Sequence, residues 1–266
     1  MASALRRLIF AASQGPYDVE VFGSQRARLF PHDNRTEKKV FAAPQFWDTA
    51  ERAALHTRIL TQPEGFVFVD AGANVGMYSL AVRAMCHCAG KPLTCLAIEP
   101  DPTNAARLAT NIALNTAADI IHHATALGAT SGEVQFRTGA LGNRGEAQIV
   151  SEPSASTITV PLRPLLDLVI EACLPRIDTL KMDIEGFEEP VLSAFFRTAP
   201  AHLIPGTIII ETVHDTCALS ARLEEAGYTL TARHGINGIY DLVRASNCFT
   251  SRSQRDQLRI AESATP

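Results

Sequence analysis

From residue 66 onward, short apolar runs alternate with stretches of helical period. "FVFVDAG" leads into "GMYSLAVRAM", and "LTCLAIE" leads into "DPTNAARLATNIALN". "IIHHATALG" follows, then "DTLKMDI" with "EEPVLSAFF", and "GTIIIET" with "ALSARLEEAG". A strand buried on both faces reads as an unbroken apolar run, and strand–helix alternation predicts a mostly parallel sheet with helices on both sides. Two late runs, "YTLTA" and "GIYDLVR", joined by "RHGIN", predict an antiparallel hairpin that closes the sheet. The helix after the second strand is well marked. Asp101 can cap it, Pro102 fits its first turn, and Ala105, Leu108, Ala109 and Ile112 predict one apolar face.

The rest of the chain departs from this rhythm. Residues 17 to 31 alternate loosely around a Gly-Ser turn and predict a β-hairpin outside the main sheet. "HDNRTEKKVF" reads as a polar, charged connection. Residues 48 to 60 predict a helix with Asp48 as its N-cap and Ala54, Leu55 and Ile59 near helical spacing, ended by Pro63 and Gly65. Residues 132 to 163 hold strand-like pieces separated by Gly, Asn, Pro and Ser, which predict a β-rich insertion; insertions at this edge tend to cover a ligand crevice. The expected division is an N-terminal extension over 1–62, a main domain over 63–248 carrying the insertion, and a polar tail over 249–266.

Composition narrows the class. Of 266 residues, 46% are apolar and 20% charged, as in soluble globular proteins. The net charge of -4 gives no basic surplus for a polyanion, so no nucleic-acid partner is expected. No apolar run approaches the about 20 residues of a membrane span. "LIFAA" near the start falls short of the ~7–15 residues of a secretory core and predicts a short amphipathic helix. Six cysteines fall at 86, 88, 95, 173, 217 and 248. Cys86 and Cys88 are too close together for a structural zinc site, so buried reduced thiols and a cytoplasmic enzyme are expected.

Candidate chemistry begins at "VFVDAGANVGMYSL". A parallel sheet binds ligands beyond the carboxyl ends of its strands. The first strand is expected to end at Asp70, which places Gly72, Asn74 and Gly76 in that crevice. A pyrophosphate-binding turn would need glycine at 74, where this chain has Asn74. Glu99 ends the next strand, where a carboxylate can accept hydrogen bonds from two ribose hydroxyls. Asp70 and Glu99 together suit a positively charged nucleoside without phosphates, such as S-adenosylmethionine. The alternative reading is that the glycines serve only helix–strand packing.

With these residues in view, the chain resembles the FkbM family of S-adenosylmethionine-dependent methyltransferases over about residues 40 to 245. "FVDAGANVGMYS", "IEPDPTNAARLATNIALN", "ALGATSGEVQF" and above all "IDTLKMDIEGFEEPVLSAF" carry the resemblance. It implies an α/β fold with a Rossmann-like seven-stranded methyltransferase sheet. It also implies methylation of a hydroxyl on a small molecule or glycan. Adenine contacts would fall near Ala126, Leu127 and Gly128, although "ALGATSG" stands where the family often has Ser-Asp.

Methyl transfer needs an acceptor oxygen held in line and a nearby base. In an extended "TLKMDIEG", Lys181, Asp183 and Glu185 share one face. Two readings stand. Either the three form an internal ion-pair group with Glu185 on backbone N–H groups of the turn, or Asp183 orients or deprotonates the acceptor, with Glu185 lining the same pocket. Glu211 and His214 in "IIIETVHD" are expected to face the crevice from the neighbouring strand. His214 is the best general base by intrinsic pKa, or else a loop histidine. At least one of His122 and His123, inside an apolar strand, is expected as a packed or pocket-edge residue and not a catalyst. Asp183, Glu185, Glu211 and His214 could in principle hold Mg²⁺ or Ca²⁺, but Lys181 already supplies positive charge, so no metal is expected. Trp47 either stacks on the acceptor or anchors the extension. The competing functions are a nicotinamide-dependent oxidoreductase and an inert S-adenosylmethionine-binding protein.

Overall fold

A computed structural model describes residues 13–137, 148–150, 157–212 and 216–243. The expected "LIFAA" helix, the polar tail and Cys248 lie outside these residues.

The hairpin comes first, β1 (Tyr17–Val21) and β2 (Gln25–Leu29), paired antiparallel. Residues read as a polar connection instead form a helix, α1 (Arg35–Ala42). The Asn34 side chain accepts from the Thr36 and Glu37 N–H groups and so satisfies two donors at its start. Val40 and Phe41 bury its inner face, and buried Glu37 pairs with Arg107 at 2.9 Å. Its density of charge hid it: the charges cover the outer face of a helix and one buried ion pair.

Helix α2 (Thr49–Thr61) begins where expected, but Asp48 does not cap it. Asp48 takes a left-handed backbone conformation, φ 40 and ψ 51, and its carboxylate accepts from the Tyr78 hydroxyl at 2.8 Å instead.

Alternation then produces the sheet: β3 (Phe66–Ala71), α3 (Met77–Cys88), β4 (Leu93–Ile98), α4 (Pro102–Leu114) and β5 (Ile120–His123). Short β6 (Ala126–Leu127) leads to the insertion strands β7 (Gly132–Arg137), β8 (Gln148–Val150) and β9 (Thr157–Arg163). A short helix with no counterpart in the sequence reading, α5 (Leu165–Glu171), precedes β10 (Thr179–Met182). Then come α6 (Glu188–Thr198), β11 (Thr207–Glu211), α7 (Thr216–Glu225), β12 (Tyr228–His234) and β13 (Asn237–Leu242). The seven strands run in the order β12-β13-β11-β10-β3-β4-β5. The five from β11 to β5 are parallel, and the β12–β13 hairpin closes the edge antiparallel, as expected. The strand order reverses between β3 and β10, so the crevice opens above these two. The insertion makes its own sheet, β6-β9-β7-β8.

Two apolar clusters cover the two faces of the main sheet. One joins Phe66 and Phe68 to α3 and also takes in Val21, Leu29, Phe41 and Trp47. The other packs Val67, Val69, Leu180 and Ile210 against α5, α6 and α7. The inner face of α4 is Asn104, Ala105, Leu108 and Asn111; Ala109, expected inside, is exposed. Asparagine turns inward because the Asn111 and Asn115 carboxamides accept from the Arg28 and Arg26 N–H groups, which pairs the free edge of β2. Cys86 and Cys95 are buried as expected, whereas Cys88, Cys173 and Cys217 are exposed.

Candidate functional site

An open crevice of about 910 Å³, including its mouth, lies above the ends of β3, β4 and β10. Its floor is the turn after β3. Gly72 has φ +79, and a Cβ there would sit 1.9 Å from the Asp183 carbonyl oxygen. Glycine is required because the β3 and β10 loops touch backbone to backbone. Asn74 also takes a positive φ of 52, which Asn tolerates better than most residues. Its carboxamide oxygen accepts from Asn34 Nδ2 at 2.8 Å, so the N-terminal segment holds this turn in place.

Glu99 closes the far side. Its Oε2 accepts from the Asn74 N–H and its Oε1 from the Asp101 N–H. Burial pushes its carboxyl up to about 8, against the pull of those two donors. Beside it, Ala126, Leu127 and Thr125 line the crevice, and Phe136 reaches in from the insertion.

The near side is charged. Lys181 is buried, with Nζ 3.3 Å from Asp183 Oδ2 and 4.8 Å from the centre of the Tyr78 ring. Burial lowers the Lys181 pKa, but Asp183 and Asp70 together outweigh it and the net shift is upward. Strand β10 stops at Met182, so Lys181, Asp183 and Glu185 do not share one extended strand face. Glu185 takes φ 55 as the chain bends away, yet all three line the crevice. The turn is held by Glu188, whose two carboxylate oxygens accept from the Ile184 and Gly186 N–H groups, the role considered for Glu185. Its position in the first turn of α6 was the available signal.

Other sequence-predicted residues are placed differently. Asp70 is fully buried and is not part of the crevice wall. Its Oδ2 accepts from the Ser79 N–H and hydroxyl, which pins the first turn of α3. Burial raises its pKa, and Lys181 opposes this. Gly76 also lies outside the wall; a Cβ there would sit 2.5 Å from Leu108 Cδ1, so its role is close packing of α3 on α4. Glu211 ends β11 beside Asp183, and its carboxyl is raised to about 8, first by burial and then by Asp183. His214 lies outside the described residues. Trp47 is buried, packs edge-on against Tyr78 at 4.7 Å and borders the crevice, so it anchors the extension at the rim. His122 and His123 are half-buried on edge strand β5, outside the wall. Tyr78 and Asp48 were not foreseen here. Among the described residues, no group of three or more His, Cys, Asp or Glu is placed to hold a metal ion.

Residues 70–230 match the methyltransferase FkbM domain, which is more than half of the chain. The chain belongs to the FkbM methyltransferase family. Among solved structures, this family member is similar to a methyltransferase FkbM from Methylobacillus flagellatus KT, with 21% identity, TM-score 0.45, and coverage of 79% of this chain and 55% of the other. The chain therefore spans about half the length of that relative. A precorrin-6y methyltransferase from Geobacter metallireducens GS-15 matches at 16% identity, TM-score 0.44, over 75% and 90% of the two chains. A ribosomal protein L11 methylase from Lactobacillus delbrueckii subsp. bulgaricus matches at 13% identity, TM-score 0.42, over 74% and 79%. The precorrin and the ribosomal protein are the substrates named for those proteins. No curated protein matches the chain.

Proposed function

We propose that this FkbM-family chain is an S-adenosylmethionine-dependent methyltransferase that methylates a hydroxyl oxygen of a small molecule or glycan. The observation that carries the reading is Glu99, a buried carboxylate held by two backbone donors at the end of β4 and open to a crevice whose floor carries no side chain at Gly72. Such a carboxylate can accept from vicinal ribose hydroxyls and repels a phosphate at the same place. Asn74, Ala126 and Leu127 would complete the cofactor side. The cofactor supplies a methyl group on a positively charged sulfur. The chain's own part is to hold the acceptor and manage its proton. In this reading Asp183, part-exposed and paired to Lys181, accepts a hydrogen bond from the acceptor hydroxyl and takes its proton. Glu211 beside it, its carboxyl raised to about 8 by burial and by Asp183, keeps its own proton at pH 7 and can donate a hydrogen bond to the Asp183 carboxylate. Lys181, stacked over the Tyr78 ring, sets its positive charge 3.3 Å from the Asp183 carboxylate.

Calorimetric titration of the purified chain with S-adenosylhomocysteine and with NADH tests the cofactor class. S-adenosylhomocysteine should bind and NADH should not; the reverse result returns the oxidoreductase reading. Glu99→Ala should weaken S-adenosylhomocysteine about 10- to 100-fold, the range for hydrogen bonds to a charged group. Asp183→Ala should leave that affinity nearly unchanged and lower methyl transfer. Equal loss of affinity in both variants would refute the division of roles.

A further inference from the structure

The aim of the Glu99 carboxylate depends on two backbone donors, the Asn74 N–H on Oε2 and the Asp101 N–H on Oε1. The N-terminal segment braces both. Gly72 and Ala73 donate their N–H groups to the Ile98 carbonyl, and Asn74, next in line, reaches Glu99 with a φ of 52. A left-handed conformation is uncommon for a non-glycine residue and persists where neighbours enforce it. The enforcing neighbour is Asn34, 40 positions earlier, whose Nδ2 donates to Asn74 Oδ1 at 2.8 Å.

Asn34 is itself fixed. It is buried, and its Oδ1 accepts from the Thr36 and Glu37 N–H groups at the start of α1. Glu37 accepts in turn from the Phe30 N–H and from Arg107, and Arg107 lies on α4, the helix that Asp101 caps. The links close into a ring: Glu99, Asn74, Asn34, Glu37, Arg107, then Asp101 and back to Glu99. Asn34 can join α1 to the turn after β3 because a carboxamide carries an acceptor and a donor on one side chain. Serine caps a helix about as well, but its hydroxyl is too short to reach across to Asn74 as well.

We propose that Asn34 is a positioning residue for the cofactor: by holding Asn74 it keeps the Asn74 N–H on Glu99, so the N-terminal segment raises the affinity for the nucleoside. This rests on the methyltransferase reading above and extends its cofactor side to a residue outside the 70–230 that match the family domain.

The test is calorimetric titration of the full chain with S-adenosylhomocysteine in four proteins: wild type, Asn34→Ser, Asn74→Gly and the double variant. Serine keeps the helix cap and glycine takes a positive φ freely, so each single change removes the side-chain bond and spares the backbone path. Asn34→Ser should weaken binding about 3- to 10-fold, the range for one hydrogen bond. Added to Asn74→Gly it should weaken binding no further, because the bond is already gone. A merely structural role for Asn34 would lower affinity by the same factor in both backgrounds, and that result overturns the proposal. Wild-type affinity in either single variant overturns it too. The pH profile is a second readout. The Asn74 donor lowers the Glu99 pKa, while the Asp101 donor and the charges of Asp101 and Asp70, which also act on Glu99, stay in place in Asn34→Ser. The pH at which affinity levels off should therefore move upward in this variant; a profile that stays where it was overturns the proposal. If wild type does not bind S-adenosylhomocysteine, the cofactor reading falls and this inference with it. If it binds and the two losses multiply, only the role of Asn34 falls.

Discussion

Glu99 couples the crevice to solution pH. Its carboxyl is raised from the ordinary value of 4.5 to about 8 because burial costs the charged form more than two backbone donors return. At pH 7 the ligand-free protein therefore holds a proton there, and ribose hydroxyl donors favour the carboxylate, so binding should expel that proton. The sign follows: S-adenosylhomocysteine affinity should rise from pH 6 toward pH 8, by up to about tenfold per unit, and level off above. Calorimetry at pH 7 in two buffers of different ionisation enthalpy should detect proton release. Glu99→Gln should abolish both the release and the pH dependence; a flat profile in the wild type would contradict this role. Residue types and spacing made Gly72, Asn74, Glu99, Lys181, Asp183 and Glu185 legible in the sequence, because each sits at a strand end or in a turn. Asp70 was legible as a residue but not by direction, since Ser79 draws its carboxylate beneath the turn.

At the scale of elements, the two glycines of the turn after β3 differ in kind. An alanine at 72 would drive its Cβ into the Asp183 carbonyl, where backbone on both sides cannot yield. An alanine at 76 would meet only the end of the Leu108 side chain, though φ +85 is still unfavourable. Urea unfolding should give a loss above about 3 kcal/mol for Gly72→Ala and about 1–2 kcal/mol for Gly76→Ala. Similar losses in both would mean that the β3 and β10 loops are not in rigid contact. The strands, α4 and the closing hairpin could be predicted because each has a period or a cap of its own. Helix α1 could not, since its inner face holds two apolar residues and a charge whose partner, Arg107, is 70 positions away. The Asp48 cap failed for a related reason: Tyr78, distant in sequence, competes for the carboxylate.

On the scale of the whole molecule, the N-terminal segment is part of the core and part of the site. Val21, Leu29, Phe41 and Trp47 share a cluster with the main sheet, and Asn34 holds Asn74 at the crevice floor. Leu29→Ala, far from the crevice, should cost about 2–5 kcal/mol and lower the thermal midpoint of the entire chain. A separate early transition, leaving the main domain's midpoint unchanged, would show instead that the extension is a detachable arm. The described helices include none long and apolar enough to cross a membrane. By itself the sequence determined the sheet, its parallel order with an antiparallel closing hairpin, the β-rich insertion and the family, because these are written in local period, turn residues and a contiguous motif. Only the tertiary structure decided which charged groups face the crevice, which brace it from behind, and that a hydrogen-bonded Asp48 and Tyr78 line it. Those outcomes depend on competition for hydrogen-bond partners between residues far apart in the chain, and no local pattern encodes who wins.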